Sequence, residues 1–357
     1  MDSINVIAMA GGDGIQSYTN NSSFQKMAIG YAKSLIQKSI VEYIQPMNPP
    51  TSVTFRVADL GCSVGPNTFI AVDNILEAVK LKYLNTNHEI PDFQVYFSDH
   101  AINDFNTLFK SLPPNREYYA SGVPGSFHTR LFPRASLHIV HCSYSIHWLS
   151  QLPREITDKN SRVWNKGKIH YVGAGEEVIN AYSRQHAIDF SKFLDVRAQE
   201  IVPGGLIMLI LPARPNGVPH SQDPFPVLLE QLGECLMDLA RKGVIDEEKV
   251  DAFNVPCYFS SPQELEQVIN QNGRFNIEMM ESLPKIKVPN ISSIPQRVCG
   301  TIRAVTEELI KEHFGREILD EVFGLFQEKI VKALEHIRGS DFNLFMLLKL
   351  KEETYLD

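Results

Sequence analysis

The 357-residue chain is short of cysteine and tryptophan, and short of positive charge. Its five cysteines (Cys62, Cys142, Cys235, Cys257, Cys299) are scattered, with no Cys-x-x-Cys pair. A zinc site is therefore not expected, and free thiols in a reducing, cytoplasmic setting are. The longest apolar run, Leu206 to Leu211, is far below the ~20 residues of a membrane span, so no membrane partner is expected. Met1 to Ala10 lacks the basic region and apolar stretch of a signal peptide, and the sequons at Asn20 and Asn21 then have no role. With 34 Lys and Arg against 42 Asp and Glu, the net charge is -8. Lys166 with Lys168, and Lys349 with Lys351, are only short clusters, so the basic stripe of a nucleic-acid binder is missing. A small anion remains admissible, because a pocket need not share the sign of the whole surface. Internal repeats are also absent.

What is present suits a globular chain with a large core: 43% apolar and 21% charged residues. Residues 1–25 are polar and glycine-rich (Gly11, Gly12, Gly14), and read as a loop or flap. Met27 to Tyr43 has helical spacing. Val53 to Asp59 is a β-branched, apolar strand ending in Gly61-Cys62-Ser63-Val64-Gly65, and Pro66 suits the first turn of the helix that follows. Further strands are expected at Phe93–Phe97, at Leu137–Cys142 and, after a turn at Pro203-Gly204-Gly205, at Leu206–Leu211. Phe190, Phe193, Leu194 and Ile201 form a helical stripe ahead of that turn. From Gln222 to about Leu334 the pattern is helical, as in Leu228–Ala240 and Val305–Phe314, with Gly315 at a helix end. Strand character returns at Arg274–Met279 and Phe342–Leu350. Strands alternating with helices predict an α/β fold with a mostly parallel sheet. The expected division is a flap at 1–25, a core at 26–215 and 335–357 with a strand at 270–280, and a mostly helical cap at 216–334.

Ligands of open α/β sheets bind beyond the carboxyl ends of the strands. A glycine turn there, at Gly61 to Gly65, lets backbone approach a nucleotide or amino-acid group. An ordinary tight turn explains it equally well. The dinucleotide fingerprint Gly-x-Gly-x-x-Gly is absent, which disfavours a dehydrogenase and leaves S-adenosylmethionine as the better nucleotide. Asp99, ending the second strand, can accept both ribose hydroxyls, although a solvated loop carboxylate reads the same way.

Specificity comes from ordered motifs along nearly the whole chain. These include Gly11-Gly12-Asp13-Gly14, Ser17-Tyr18, Gln25, Asp59-Leu60-Gly61-Cys62-Ser63, Gly65-Pro66-Asn67-Thr68 and Asn103-Asp104-Phe105-Asn106. Gly122-Val123-Pro124-Gly125-Ser126-Phe127, Ser143-Tyr144-Ser145, His147-Trp148-Leu149-Ser150, Ala198-Gln199-Glu200 and Asp251-Ala252-Phe253-Asn254-Val255-Pro256 continue the series. Together they resemble the plant SABATH methyltransferases, which contain carboxyl O-methyltransferases and the N-methyltransferases of caffeine formation. The resemblance implies a class I, Rossmann-like core with a mixed seven-stranded sheet and a helical cap. It implies that Tyr18, Ser22, Asp59, Cys62, Asn67, Asp99, His100, Ser126 and Phe127 line the S-adenosylmethionine site, with Ser22 and Asn67 at the methionine end and Ser126 and Phe127 around the adenine. Gln25 and Trp148 stand where carboxyl-methylating members hold the acceptor carboxylate, beside Tyr144 and His147. His147 is expected to shape the pocket, because a carboxylate with pKa ~4 needs no base. Asn165, Asp251, Phe253 and Asn254 match positions that hold structural magnesium in some members. A homodimer is implied as well. Two departures stand out: Ala10 where many members have Lys, and His100 where salicylate-type members have Leu. The reading is thus a carboxyl O-methyltransferase of a small acid, with a terpenoid or similarly bulky acid favoured. A xanthine-type N-methyltransferase and a silent binder are the alternatives.

Overall fold

The structure, a computed structural model, describes residues 8–46, 54–286, 294–336 and 342–352. Val53, at the start of the first expected strand, lies outside the described residues. Seven strands form one sheet in the order β3-β2-β1-β4-β5-β7-β6. They are β1 (Phe55–Leu60), β2 (Phe93–Asp99), β3 (Tyr119–Pro124), β4 (Leu137–Ser143), β5 (Ile201–Pro212), β6 (Phe275–Ser282) and β7 (Asn343–Leu350). β3, β2, β1, β4 and β5 run parallel, while β7 is antiparallel to both β5 and β6. The central strands are buried on both faces and carry near-continuous apolar runs, as in Leu206 to Leu211. Between β1 and β4 the strand order reverses, opening a crevice at their carboxyl ends.

β3 has no counterpart among the strands expected from sequence. It is an edge strand of half-exposed residues, Tyr-Ala-Ser-Gly-Val-Pro, with no apolar run to reveal it. β5 begins earlier than expected, so Ile201 opens a strand instead of closing a helical stripe. The turn expected at Pro203-Gly204-Gly205 is a bulge within that strand: Gly204 has φ 73°, and the pairing with β4 shifts register there. A side chain at Gly205 would sit 2.9 Å from the His138 carbonyl oxygen.

Helices α2 (Ser23–Tyr43) and α3 (Pro66–Asn85) cover one sheet face with Ile29, Ile36, Val72 and Ile75. Helices α5 (Glu176–Glu200) and α8 (Pro262–Asn272) cover the other with Phe190, Phe193, Leu265 and Ile269. α8 therefore lies in the sheet layer, although its residues fall within the 216–334 stretch. A third apolar cluster joins α6 (Pro224–Arg241), α7 (Glu247–Ala252), α9 (Ile294–Phe314) and α10 (Leu319–His336) to residues of the 149–182 segment. It sits beyond the strand carboxyl ends, and the 215/216 division cuts across it. Gly315 does close α9, with φ 102° and its N–H on the Lys311 carbonyl at 3.0 Å.

The glycine-rich segment is tied to both bodies. Gly12 N–H bonds Asp104 at 3.0 Å, ahead of α4 (Phe105–Lys110), while Ala10 N–H bonds the Ala304 carbonyl of α9 at 2.9 Å. Its end is helical, at α1 (Tyr18–Asn21), and Gln25 lies in the first turn of α2, not in a loop.

Candidate active site

At the end of β1 the chain must turn under a neighbouring loop. Gly61 has φ 76°, and a Cβ there would stand 2.0 Å from Ser145 Oγ, so glycine satisfies both backbone and packing. Ser63 follows at φ 51° and directs its N–H to Asp99 Oδ2 at 2.7 Å. The His100 N–H bonds Asp99 Oδ1, also at 2.7 Å. Burial raises this carboxyl to about 6 against the pull of those two N–H groups. Each oxygen keeps a lone pair for a ligand.

Asp99 lines a cavity of about 350 Å³ with Tyr18, Gln25, His100, Ser126, Phe127, Tyr144, His147 and Trp148. These are nine of the residues expected at the site. Ser22, Asp59, Cys62 and Asn67 are buried and do not line this cavity. Asn67 donates to Ser22 Oγ at 2.8 Å. Asp59 holds His141 Nδ1 at 2.7 Å and accepts from the Thr68 hydroxyl. In this arrangement Asp59 braces β1, β4 and α3.

Several supports carried no signal for function in the sequence. Arg197, fully buried on α5, donates to Glu200 at 2.7 Å and to the carbonyls of Phe127 at 2.8 Å and Thr129 at 2.9 Å. Glu200 accepts from the N–H groups of Leu131 and Phe132. One buried ion pair thus fixes the loop bearing Ser126 and Phe127. A charge continuing the apolar stripe of Phe190, Phe193 and Leu194 was the available clue. Asp189 likewise anchors the Trp148 loop, taking the Ser150 N–H at 2.8 Å and its hydroxyl at 2.6 Å.

The loop after β4 is clamped on both sides. Tyr144, at φ 54°, bonds the Ile210 carbonyl through its N–H at 2.7 Å and Asn343 Oδ1 through its hydroxyl at 2.5 Å. Leu149 N–H reaches the Pro256 carbonyl, and Tyr258 N–H reaches that of His147, both at 2.8 Å. His147 lies 5.4 Å from each of the Trp148 and Phe259 rings, and burial lowers its pKa to about 3. It is a neutral wall residue at physiological pH, without the basicity to take a proton.

Gln25 and Tyr144 also border a second cavity of about 270 Å³. Its walls are mainly apolar, from Phe24, Leu228, Val298, Ile302 and Phe342, with Asp223, Thr301 and Asn343 as further polar residues. Gln25, Tyr144, Pro212 and Phe225 are common to both cavities, so the site is two-lobed.

Asn165, Asp251, Phe253 and Asn254 do come together, but as a hydrogen-bonded joint. Asn165 Nδ2 donates to Asn254 Oδ1 at 2.7 Å, and Tyr182 donates to the same oxygen at 3.3 Å. Asp251 Oδ1 takes the Gly167 N–H at 2.7 Å. With the Asn254 oxygen doubly engaged and a single formal charge, this set does not fit the magnesium ion expected there. It holds the 165–170 loop against the segment that clamps Trp148.

An acid at the end of β2 facing the β1–β4 crevice suits a nucleotide ribose, and with β7 inserted antiparallel between β5 and β6 the sheet is that of a class I methyltransferase. S-adenosylmethionine fits these residues: Asp99 offers acceptors at the crevice, and the His100 and Phe127 rings stand 6.5 Å apart over it. The chain belongs to the SAM-dependent carboxyl methyltransferases, the SABATH family, whose model matches residues 4–351. It is 46% identical to a loganic acid O-methyltransferase of Catharanthus roseus over 96% of this chain and 94% of that one. A farnesoic acid carboxyl-O-methyltransferase of Arabidopsis thaliana is 38% identical over 96% and 98% of the two chains. A solved loganic acid methyltransferase with SAH superimposes with a TM-score of 0.92 at 45% identity, covering 97% of this chain and 99% of that one. Among the described residues, no helix is long and apolar enough to cross a membrane.

Proposed function

We propose that the larger cavity takes S-adenosylmethionine and that the apolar cavity takes the body of a bulky monocarboxylic acid, whose carboxylate lies where the two meet. When bound, S-adenosylmethionine supplies an electrophilic sulfonium methyl. Asp99 receives the ribose hydroxyls, while Phe127 and His100 flank the adenine. The Gln25 amide and the Trp148 indole N–H hold the acceptor carboxylate without adding formal charge, which suits a buried anion. The Tyr18 and Tyr144 rings favour a cation at the junction. The acceptor arrives ionised, so neutral His147 shapes the wall and removes no proton. Rate then comes from alignment of the attacking oxygen and from exclusion of water.

The observation that carries this reading is the meeting at Gln25, beside the Trp148 loop, of a cavity bordered by Asp99, His100 and Ser126 with a second one walled mainly by apolar side chains. The relatives named for loganic and farnesoic acids support a terpenoid-type acceptor. A paraxanthine methyltransferase of Arabidopsis thaliana at 40% identity keeps a purine acceptor as the alternative. Labelled S-adenosylmethionine offered with a panel of terpenoid acids, aromatic acids and xanthines decides between them. Base-labile label on an acid is expected, and base-stable label on a xanthine alone would overturn the proposal. We further propose a cytoplasmic homodimer on the family resemblance; a single 40.3 kDa species in sedimentation removes the dimer.

A further inference from the structure

We infer that Asp223 selects acceptor acids carrying a hydroxyl group on the body of the molecule, away from the carboxylate. The inference rests on the carboxyl-methylation reading above. Asp223 precedes Pro224, the first residue of α6, and lines the apolar cavity that Gln25 and Tyr144 border. It is 7% exposed, and its Oδ2 has no hydrogen-bond partner. Pro224 offers the carboxylate no N–H, and the Phe225 backbone N–H is the hydrogen-bond donor that pulls on it. Arg214, the cation that acts on it through space, directs its two terminal nitrogens elsewhere, to Glu264 at 2.9 Å and to the Val218 carbonyl at 2.6 Å, and its Nε bonds no acceptor. Burial accordingly lifts the Asp223 carboxyl to about 7.

A buried acceptor without a donor is costly, and a ligand that brings the donor relieves it. A hydroxyl fits better than an ammonium, because walls such as Leu228, Val298 and Ile302 cannot solvate a cation. The acid's own carboxylate belongs at the Gln25 end, where Asp223 does not crowd it with like charge. A hydroxylated acid therefore gains at Asp223 what its deoxy analogue lacks, whereas a second carboxylate would be repelled.

The test uses matched cyclic monocarboxylic acids, each with and without one ring hydroxyl, on the full chain and on Asp223→Leu and Asp223→Asn. For at least one pair, the unaltered protein should favour the hydroxylated acid about ten-fold or more in kcat/KM, as expected when a buried and otherwise unpartnered oxygen gains its donor. Asp223→Leu should bring that ratio near one, through a fall for the hydroxylated acid that exceeds any change for its partner. Asp223→Asn, which keeps the shape and one acceptor, should retain part of the preference. SAH affinity should stay unchanged in both variants, since Asp223 does not border the cofactor lobe, and this also verifies the fold. If Asp223→Leu fails to bind SAH, Asp223→Asn decides, and an unaltered ratio overturns the inference. Acids methylated equally well with and without the hydroxyl overturn the role of Asp223 and leave carboxyl methylation standing. Label on xanthines and on no acid overturns both.

Discussion

The two lobes of the site are built on different terms. On the cofactor side the charged groups have partners inside the protein: Asp99 with two N–H groups, Asp59 with Thr68 and His141, Arg197 with Glu200. On the acceptor side the charged Asp223 leaves Oδ2 without one, as does Gln25 at Oε1, while the unpartnered groups of the larger cavity are the uncharged Ser63 Oγ, His128 Nδ1, Ser143 Oγ and His147 Nδ1. Strand ends, backbone turns and the flap hold the first lobe, while helices α2, α6 and α9 wall the second. Partnered groups fix the geometry of a ligand common to a whole class. Unpartnered groups mark where an individual ligand completes the hydrogen bonding.

Arg197→Met tests the first half of this contrast most severely. It leaves Glu200 buried without its cation, and a loss of about 3–5 kcal/mol of stability is expected, read as a lower Tm with weakened SAH binding. Replacing Glu200 with Leu in the same chain should recover part of the loss. If the single variant is as stable as the parent, the ion pair does not hold the loop.

Asp99→Ala should weaken SAH binding about 100-fold, by the loss of two hydroxyl bonds to a charged acceptor. The pH dependence has a definite sign. Ligand binding needs the carboxylate, and the free protein's group titrates near 6. Affinity measured by calorimetry should be level above that pH and fall below it. A flat profile between pH 5 and 8 would show that Asp99 does not carry the ribose.

On the acceptor side the effects should be smaller and confined to the acid. Trp148→Phe keeps the ring and removes the N–H, so kcat/KM for the acid should drop about ten-fold with SAH affinity intact. Equal losses in both affinities would erase the distinction between the lobes. His147→Asn should change kcat less than about five-fold and leave its pH profile unaltered, because the imidazole is already neutral throughout the assay range. Chelation with EDTA should leave activity unchanged, since the joint of Asn165 and Asn254 is closed by its own hydrogen bonds.

Legibility followed the same division. Gly61, Ser126 and Trp148 lie in continuous motifs, Asp99 ends a legible strand, Gln25 comes with the family resemblance, and the structure gathers them at one cavity. Arg197 and Asp189 escaped notice because each acts through the loop it anchors, at 68 to 70 and 39 positions' separation respectively. Asp223 reads in sequence as an ordinary start to a helix beginning with proline. Only its burial and its unpartnered oxygen set it apart. β3 was missed because edge strands carry little apolar signal, and the bulge in β5 because Pro-Gly-Gly is written the same way in a turn.

Taken alone, the sequence determined the α/β alternation, the carboxyl-edge turns and the family, since these depend on local periodicity and on residues adjacent along the chain. It also led to S-adenosylmethionine as the nucleotide and to a carboxylate as the acceptor. Tertiary structure decided what depends on distant segments meeting. It showed Ser22, Asp59, Cys62 and Asn67 buried, the magnesium set closed as a joint, and Gln25 standing where the two lobes meet. Hydrogen-bond satisfaction is a property of the folded surroundings, so only the fold could separate the side chains that hold the site together from those left for the ligand.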